Sequence, residues 1–259
     1  MKIAVFVKQV PDSAAKISLE GDQISWGDAP LVINPWDEYA VEAALQIAEA
    51  NNGEVIALSM GEESAQEALK HALAMGCGEA VLISDPALAS ADASVAAKIF
   101  AAAIEKMADV DLAIFGKQAI DSDTGVTTAM TARVLAWPAI TLVSKVDQIG
   151  VAGKTISAER STEEGSQSLK GQLPAVLSIA KDYGEPRYPS FMGIRKASKA
   201  EIPVWSLADI ASEAVDALVT WPELVAPPAQ DDKHEMIEGA SAQEIAEKLA
   251  DKIIAEGVL

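Results

Sequence analysis

Short apolar runs alternate with stretches of helical period along the first half of this chain. That alternation restricts the fold more than any other feature of the sequence. Ile3-Ala-Val-Phe-Val7 is apolar throughout, as a strand covered on both faces must be. Asp37 to Ala50 sets Ala40, Val41, Ala44, Leu45 and Ala48 on one helical face and stops at Asn51-Asn-Gly53. The order recurs with Glu54 to Ser59 before Glu62 to Met75, Ala80 to Ser84 before Ala93 to Met107, and Asp111 to Phe115 before Val126 to Ala136. Strands joined by helices of this length form right-handed βαβ units, so the expected class is α/β, a largely parallel sheet with helices on both faces.

The pattern changes after Pro138. Ile140 to Asp147, Lys154 to Glu159, Ser166 to Gly171 and Ala175 to Asp182 read as strands without long helices between them, which predicts hairpins and an antiparallel extension of the sheet. From Glu185 onward the prolines at 186, 189, 203, 222, 227 and 228 exclude long regular elements. A last helix runs from Ser241 to Ala255, with Ser241 as cap and Glu244 completing a capping box. Residues 1–184 read as the α/β domain. Residues from about 185 to 259 are too irregular to bury a core alone, and the sequence leaves open whether they pack on another subunit or fold back on their own domain.

Composition narrows the partners. At 259 residues, half of them apolar, the chain can bury a substantial core. A net charge of −19 repels nucleic acid and anionic membranes. No apolar run approaches the roughly 20 residues that span a bilayer, so no membrane insertion is expected. The single cysteine, Cys77, has no partner for an internal disulfide, and the first residues read as a strand rather than a secretory signal; the expected location is cytoplasmic.

The segment Gly116 to Thr128 concentrates the chemistry. A strand that breaks on glycine and enters a helix through Asp, Ser and Thr leaves main-chain N–H groups unpaired at the helix start, where the helix dipole also favours an anion. Gly116 and Gly125 allow close approach to the backbone. Asn34-Pro-Trp-Asp37 lies where a loop enters a helix; Asn34 or Asp37 is suited to cap that helix, with Pro35 fixing the turn, while Trp36 could cover a flat ligand or a partner. Ser59-Met60-Gly61 ends another strand. In a parallel sheet these loops, together with residues 6–13, converge on one edge. There is no G-x-G-x-x-G fingerprint and no P-loop. His71 and His234 lack the neighbours a metal site needs. Asp121 and Asp123 read as helix caps or ribose partners rather than an acid–base pair. The residues supply a nucleotide site and no catalytic machinery.

Lys8-Gln-Val-Pro-Asp12, Asn34-Pro-Trp-Asp-Glu-Tyr-Ala-Val-Glu42, Ala72-Leu-Ala-Met-Gly76, Gly116-Lys-Gln-Ala-Ile-Asp121 and Glu185-Pro-Arg-Tyr188 occur in this order. Together they resemble the beta subunit of electron transfer flavoprotein, over about residues 1–210, with Met236-Ile-Glu-Gly239 fitting as well. The resemblance implies a heterodimer with a larger alpha subunit that holds most of the redox FAD. It implies a carrier, with no substrate turnover of its own, that takes electrons from a flavin dehydrogenase and passes them to a quinone-linked oxidoreductase. The beta chain of the commonest group buries AMP as a structural ligand, and that of electron-bifurcating members a second FAD.

Carried onto this chain, the AMP positions are Phe6, Asn34, Pro35, Trp36, Asp37 and Met60. They continue through Gly116, Lys117, Gln118, Ala119, Ile120, Asp121, Ser122, Asp123, Thr124, Gly125, Val126 and Thr127. Trp36 matches an aromatic near the flavin ring, whereas Ser13 stands where some relatives have a tyrosine near it. The loop Asp121-Ser-Asp-Thr-Gly-Val-Thr-Thr-Ala-Met130 followed by Leu135-Ala-Trp-Pro138 looks like the AMP group, and Thr127 and Thr128 offer hydroxyls at a helix start. AMP is therefore the expected nucleotide. Residues 185–200 resemble a partner-recognition loop, with Phe191, Met192, Ile194 and Arg195 as docking residues. Residues 201–259 then form an arm that packs on the alpha subunit. Two rival readings are a bifurcating subunit and a stand-alone ATP-binding stress or signalling protein of similar fold.

Overall fold

The computed structural model describes residues 1–21, 23–210, 216–220, 223–226 and 234–257. Pro222, Pro227 and Pro228 lie outside these residues. The chain divides into two compact units, Met1–Glu223 and Leu224–Leu259.

The first unit begins with β1 (Lys2–Phe6). Next come β2 (Gln9–Pro11), a small hairpin of β3 (Ser18–Glu20) and β4 (Gln23–Ser25), and β5 (Leu31–Ile33), which pairs back on β2. Then follow α1 (Pro35–Asn51), β6 (Glu54–Met60), α2 (Gln66–Met75), β7 (Glu79–Ile83), α3 (Ala93–Met107), β8 (Leu112–Gly116) and α4 (Thr127–Leu135). The second half holds β9 (Ala139–Gly150), β10 (Thr155–Thr162), β11 (Gly165–Gln172), β12 (Ala175–Ile179), α5 (Phe191–Ala197) and β13 (Val204–Trp205). Nine of these strands form one sheet in the order β11-β10-β9-β12-β8-β1-β6-β7-β13.

The strands alternate between two cores. Ile3 and Val5 of β1, Val55 and Ala57 of β6, and Leu112 and Ile114 of β8 face the core shared with α1 and α2. Ala4 and Phe6, Ile56 and Leu58, and Ala113 and Phe115 face the other, with α3 and Ala132 of α4. This period of two, with apolar residues on both faces, is why these strands read as unbroken apolar runs. α1 stops where the sequence says: Asn52 takes the left-handed conformation (φ 50°), and its N–H reaches the carbonyl of Ala48.

The α/β class, the parallel sheet and the antiparallel extension are as expected, with one correction. β9, β10 and β11 are antiparallel, but β12 is no hairpin partner of β11: it crosses into the sheet between β8 and β9 and runs parallel to both. The reason lies in its composition. All five residues of β12 are buried, whereas β11 is exposed along most of its length. A run such as Ala175-Val-Leu-Ser-Ile179 is stable only where both faces are covered.

Two stretches after residue 185 are more regular than the prolines suggest. Ser190 caps α5 through its Oγ, which accepts the Gly193 N–H at 2.9 Å. Ile202, Leu207 and Ile210 are buried, and β13 pairs with β7, so this part folds back on its own sheet. In the second unit, α6 (Ala242–Ala255) starts at Ser241. The Ser241 Oγ accepts the Glu244 N–H at 3.2 Å, and the Glu244 carboxylate accepts the Ala240 N–H at 2.8 Å. Among the described residues no helix is long and apolar enough to cross a membrane.

Candidate nucleotide site

β1 leads to β6 on one side, and β8 lies on its other side, so the strand order reverses between β1 and β8. A crevice opens outside the carboxyl ends of the strands at such a reversal. The loop after β1, the start of α1, and the turn from β8 into α4 all lie at that end of the sheet.

Hydrogen bonds tie these loops together. Asn34 is fully buried; its Nδ2 donates to the Gln118 carbonyl at 2.8 Å and its Oδ1 accepts the Ile120 N–H at 3.2 Å. Asp37 is buried as well, and its Oδ2 accepts the Lys8 N–H at 2.8 Å. The Lys8 ammonium pairs with Asp121 Oδ2 at 2.6 Å. Gln9 joins the loop after β6, donating from Nε2 to the Ser64 carbonyl at 2.8 Å. Gln118 Nε2 donates to Asp123 Oδ1. Gly116 has no room for a side chain: a Cβ there would overlap Asp37 Oδ1 and lie 2.7 Å from the Trp36 carbonyl carbon.

These bonds assign different work to several residues than the sequence suggested. Asn34 sits at the N-cap of α1 but makes no side-chain cap bond, because its carboxamide is engaged across the crevice. Asp121 and Asp123 do not cap α4 either; Lys8 and Gln118 take them. Phe6 stacks on Phe115 with ring centroids 4.4 Å apart and is packed in the core, so only its main chain borders the crevice. Trp36 is half-buried, with the Lys117 ammonium 5.2 Å from its ring centroid. Met60 ends β6 and packs against the second core.

The start of α4 presents open main-chain donors. Val126 precedes the helix without any side-chain cap, and the N–H groups of Gly125 through Ala129 have no hydrogen-bond partner among the described residues. Gly125 (φ 60°) and Asp123 (φ 52°) turn the chain through left-handed conformations just before it. Two polar atoms near the strand ends, Ser59 Oγ and Asp121 Oδ1, are buried without a partner among the described residues. Open amides at a helix start suit an anionic ligand such as a phosphate.

Burial pushes the Asp37 carboxyl up to about 7, against the hydrogen bonds from Lys8, Asn34 and Gly116 that favour its charged form.

A second cluster lies farther along α1. Arg187 donates to Glu42 from its main-chain N–H (3.0 Å), from Nε (2.8 Å) and from Nη2 (3.1 Å), and to Glu49 from Nη1 (2.6 Å). Next to it, Phe191 is 80% and Met192 68% exposed, with Ile194 also exposed. The main chain of α5 is pressed on α2, since a Cβ on Gly193 would overlap the Ala74 carbonyl. Sequence reasoning placed Ser59 and residues 6–13 on the converging loops but missed the pairing of Lys8 with Asp121 and the Glu42–Glu49–Arg187 cluster. Lys8 directly follows a central strand, and Glu42 and Glu49, seven residues apart, share one helix face; those were the available signals.

Residues 27–210 match the family described as the electron transfer flavoprotein domain. The chain is 37% identical, over 98% of each chain, to the caffeyl-CoA reductase–Etf complex subunit CarD of Acetobacterium woodii. It is 38% identical to the electron transfer flavoprotein subunit beta of Thermoanaerobacterium thermosaccharolyticum, over 81% of this chain and 80% of that one. Protein FixA of Azorhizobium caulinodans is 33% identical over 99% of this chain and 93% of its own.

Proposed function

The chain belongs to the electron transfer flavoprotein family as a beta-type subunit, and on that premise we propose that it holds AMP at the β8–α4 turn and braces the FAD of an alpha subunit. Beta subunits of this family are electron carriers that pair with an alpha subunit rather than catalysts. In the proposed cycle, electrons enter the alpha-subunit FAD from a flavin dehydrogenase and leave to a quinone-linked oxidoreductase, in the cytoplasm. A flavin dehydrogenase of acyl-CoA type is the donor in this reading.

The observation that carries the nucleotide reading is the row of open amides from Gly125 to Ala129 at the strand-order reversal. The residues fit AMP. The amides and the hydroxyls of Thr127 and Thr128 would take its single phosphate, and the bound nucleotide would fill the crevice and hold the loops closed. Trp36, with Lys117 over its ring, would lie on the side of the alpha-subunit FAD. The FAD supplies the redox chemistry when bound; this chain positions it and keeps solvent out. The exposed side chains of Phe191, Met192 and Ile194, with Arg195, would form the docking surface for the dehydrogenase, and the second unit would pack on the alpha subunit.

The test is to purify the heterodimer, denature it and count the nucleotides released. One FAD and one AMP per heterodimer is the expected result. Two FAD and no AMP would replace this reading with that of a bifurcating subunit.

A further inference from the structure

Resemblance places residues 34–37 among the nucleotide contacts, yet both polar side chains of that segment are already engaged within the protein. The Asn34 carboxamide bonds the Gln118 carbonyl and the Ile120 N–H. The Asp37 carboxylate accepts the Lys8 N–H and lies directly against Gly116, where no other residue fits. We propose that Asn34 and Asp37 are positioning residues that lock the 116–120 turn to the end of β1 across the crevice, so that the open amides before α4 are aimed at the phosphate. This deepens the AMP reading and rests on it.

The turn after β8 has no strand neighbour to hold it, and its own bonds, Ser122 N–H and Asp123 N–H to the Ala119 carbonyl, are local. Among the described residues the α1 start holds it by main-chain bonds at two points, Gln118 and Ile120, and the Lys8–Asp121 pair adds a side-chain tie. A buried carboxamide that donates to one peptide and accepts from another fixes both the distance and the rotation of the turn, which a single bond cannot do. Amides bind a phosphate well only when they converge without reorganisation, so the bracket acts on affinity through the loop rather than by touching the ligand. Asp37 completes it by lying against Gly116 at the end of β8 and accepting the N–H of Lys8, two residues past the end of β1.

The test uses the heterodimer stripped of nucleotide and titrated with AMP. Asn34→Ser puts a residue type suited to capping at the N-cap of α1, but one too short to reach Gln118 and Ile120. The expected result is AMP binding weakened at least about tenfold, faster amide hydrogen exchange at residues 118–123, and unchanged FAD content in the alpha subunit. Asn34→Ala should behave in the same way; if it does not assemble, the serine variant decides alone. An AMP affinity within twofold of the unaltered heterodimer would overturn the bracket and leave the AMP reading standing. Failure of the unaltered heterodimer to bind AMP at all would overturn that reading and the bracket with it.

Discussion

Helix α1 fastens other parts of the molecule near both of its ends, and it does so by opposite means. At its start, Asn34 and Asp37 are buried and bond main-chain groups of Lys8, Gln118 and Ile120. Farther along, Glu42 and Glu49 grip the Arg187 guanidinium, which is 35% exposed. Buried bonds to peptide groups fix a geometry, and breaking them strands polar atoms out of reach of water. Of these two carboxylates Glu42 is buried and Glu49 exposed, and the exposed half of the clamp is the weaker one, which salt screens. The 116–120 turn is held by buried bonds to peptide groups, and the segment that starts at Arg187 by one buried and one exposed carboxylate, of which salt loosens only the second.

The contrast can be broken most severely at Gly116. Gly116→Ala forces a methyl group into Asp37 Oδ1 and the Trp36 main chain, and should cost about 3 kcal/mol or more by chemical denaturation. The two carboxylates of α1 sharpen the contrast through pH. Asp37, raised to about 7 from a usual 3.8, binds its proton more tightly in the folded chain, so it adds stability as the pH falls from about 7 toward 4. Glu42 moves the other way. Burial raises its carboxyl, but the hydrogen bonds from Arg187 and Gln46 outweigh burial and hold it below the usual 4.5. Its contribution is present above that value and is lost as the pH falls through the lower folded one. In denaturation measured from about pH 4 to 8, Asp37→Asn should abolish a slope of up to about 1.4 kcal/mol per pH unit. Glu42→Gln should lessen the loss of stability at the acid end.

Arg187→Met leaves Glu42 buried without its cation and should cost about 2 kcal/mol, with the Glu49 part of the loss vanishing in high salt. Phe191→Ala should change stability by less than about 0.5 kcal/mol, because the ring is exposed, while raising the concentration of dehydrogenase needed for half-maximal electron transfer. Unaltered transfer kinetics would remove Phe191 from the docking surface.

Much of the architecture was legible in advance. The runs at Ile3, Glu54, Ala80 and Asp111 became β1, β6, β7 and β8 because a strand covered on both faces must be apolar at every position. The same rule, applied to Ala175-Val-Leu-Ser-Ile179, would have placed β12 inside the sheet; proximity to the hairpin strands argued for the wrong neighbour. Part of the candidate site was legible too, since glycine, Asp and Thr between a strand and a helix announce open amides. The work of Asn34 was not. At the first position before a helix, a local cap and a bond to a turn 84 residues away look alike in sequence.

The sequence by itself determined the period of its elements, the stops between them and the family to which the chain belongs, because these follow from local polarity, turn chemistry and the order of motifs. Tertiary structure alone decided which strands became neighbours, that Arg187 would close on Glu42 and Glu49, and that Asn34 and Asp37 would reach across the crevice rather than serve their own helix. Such contacts join residues distant in the chain, and their partners are chosen by the packing of the sheet, which no local pattern encodes.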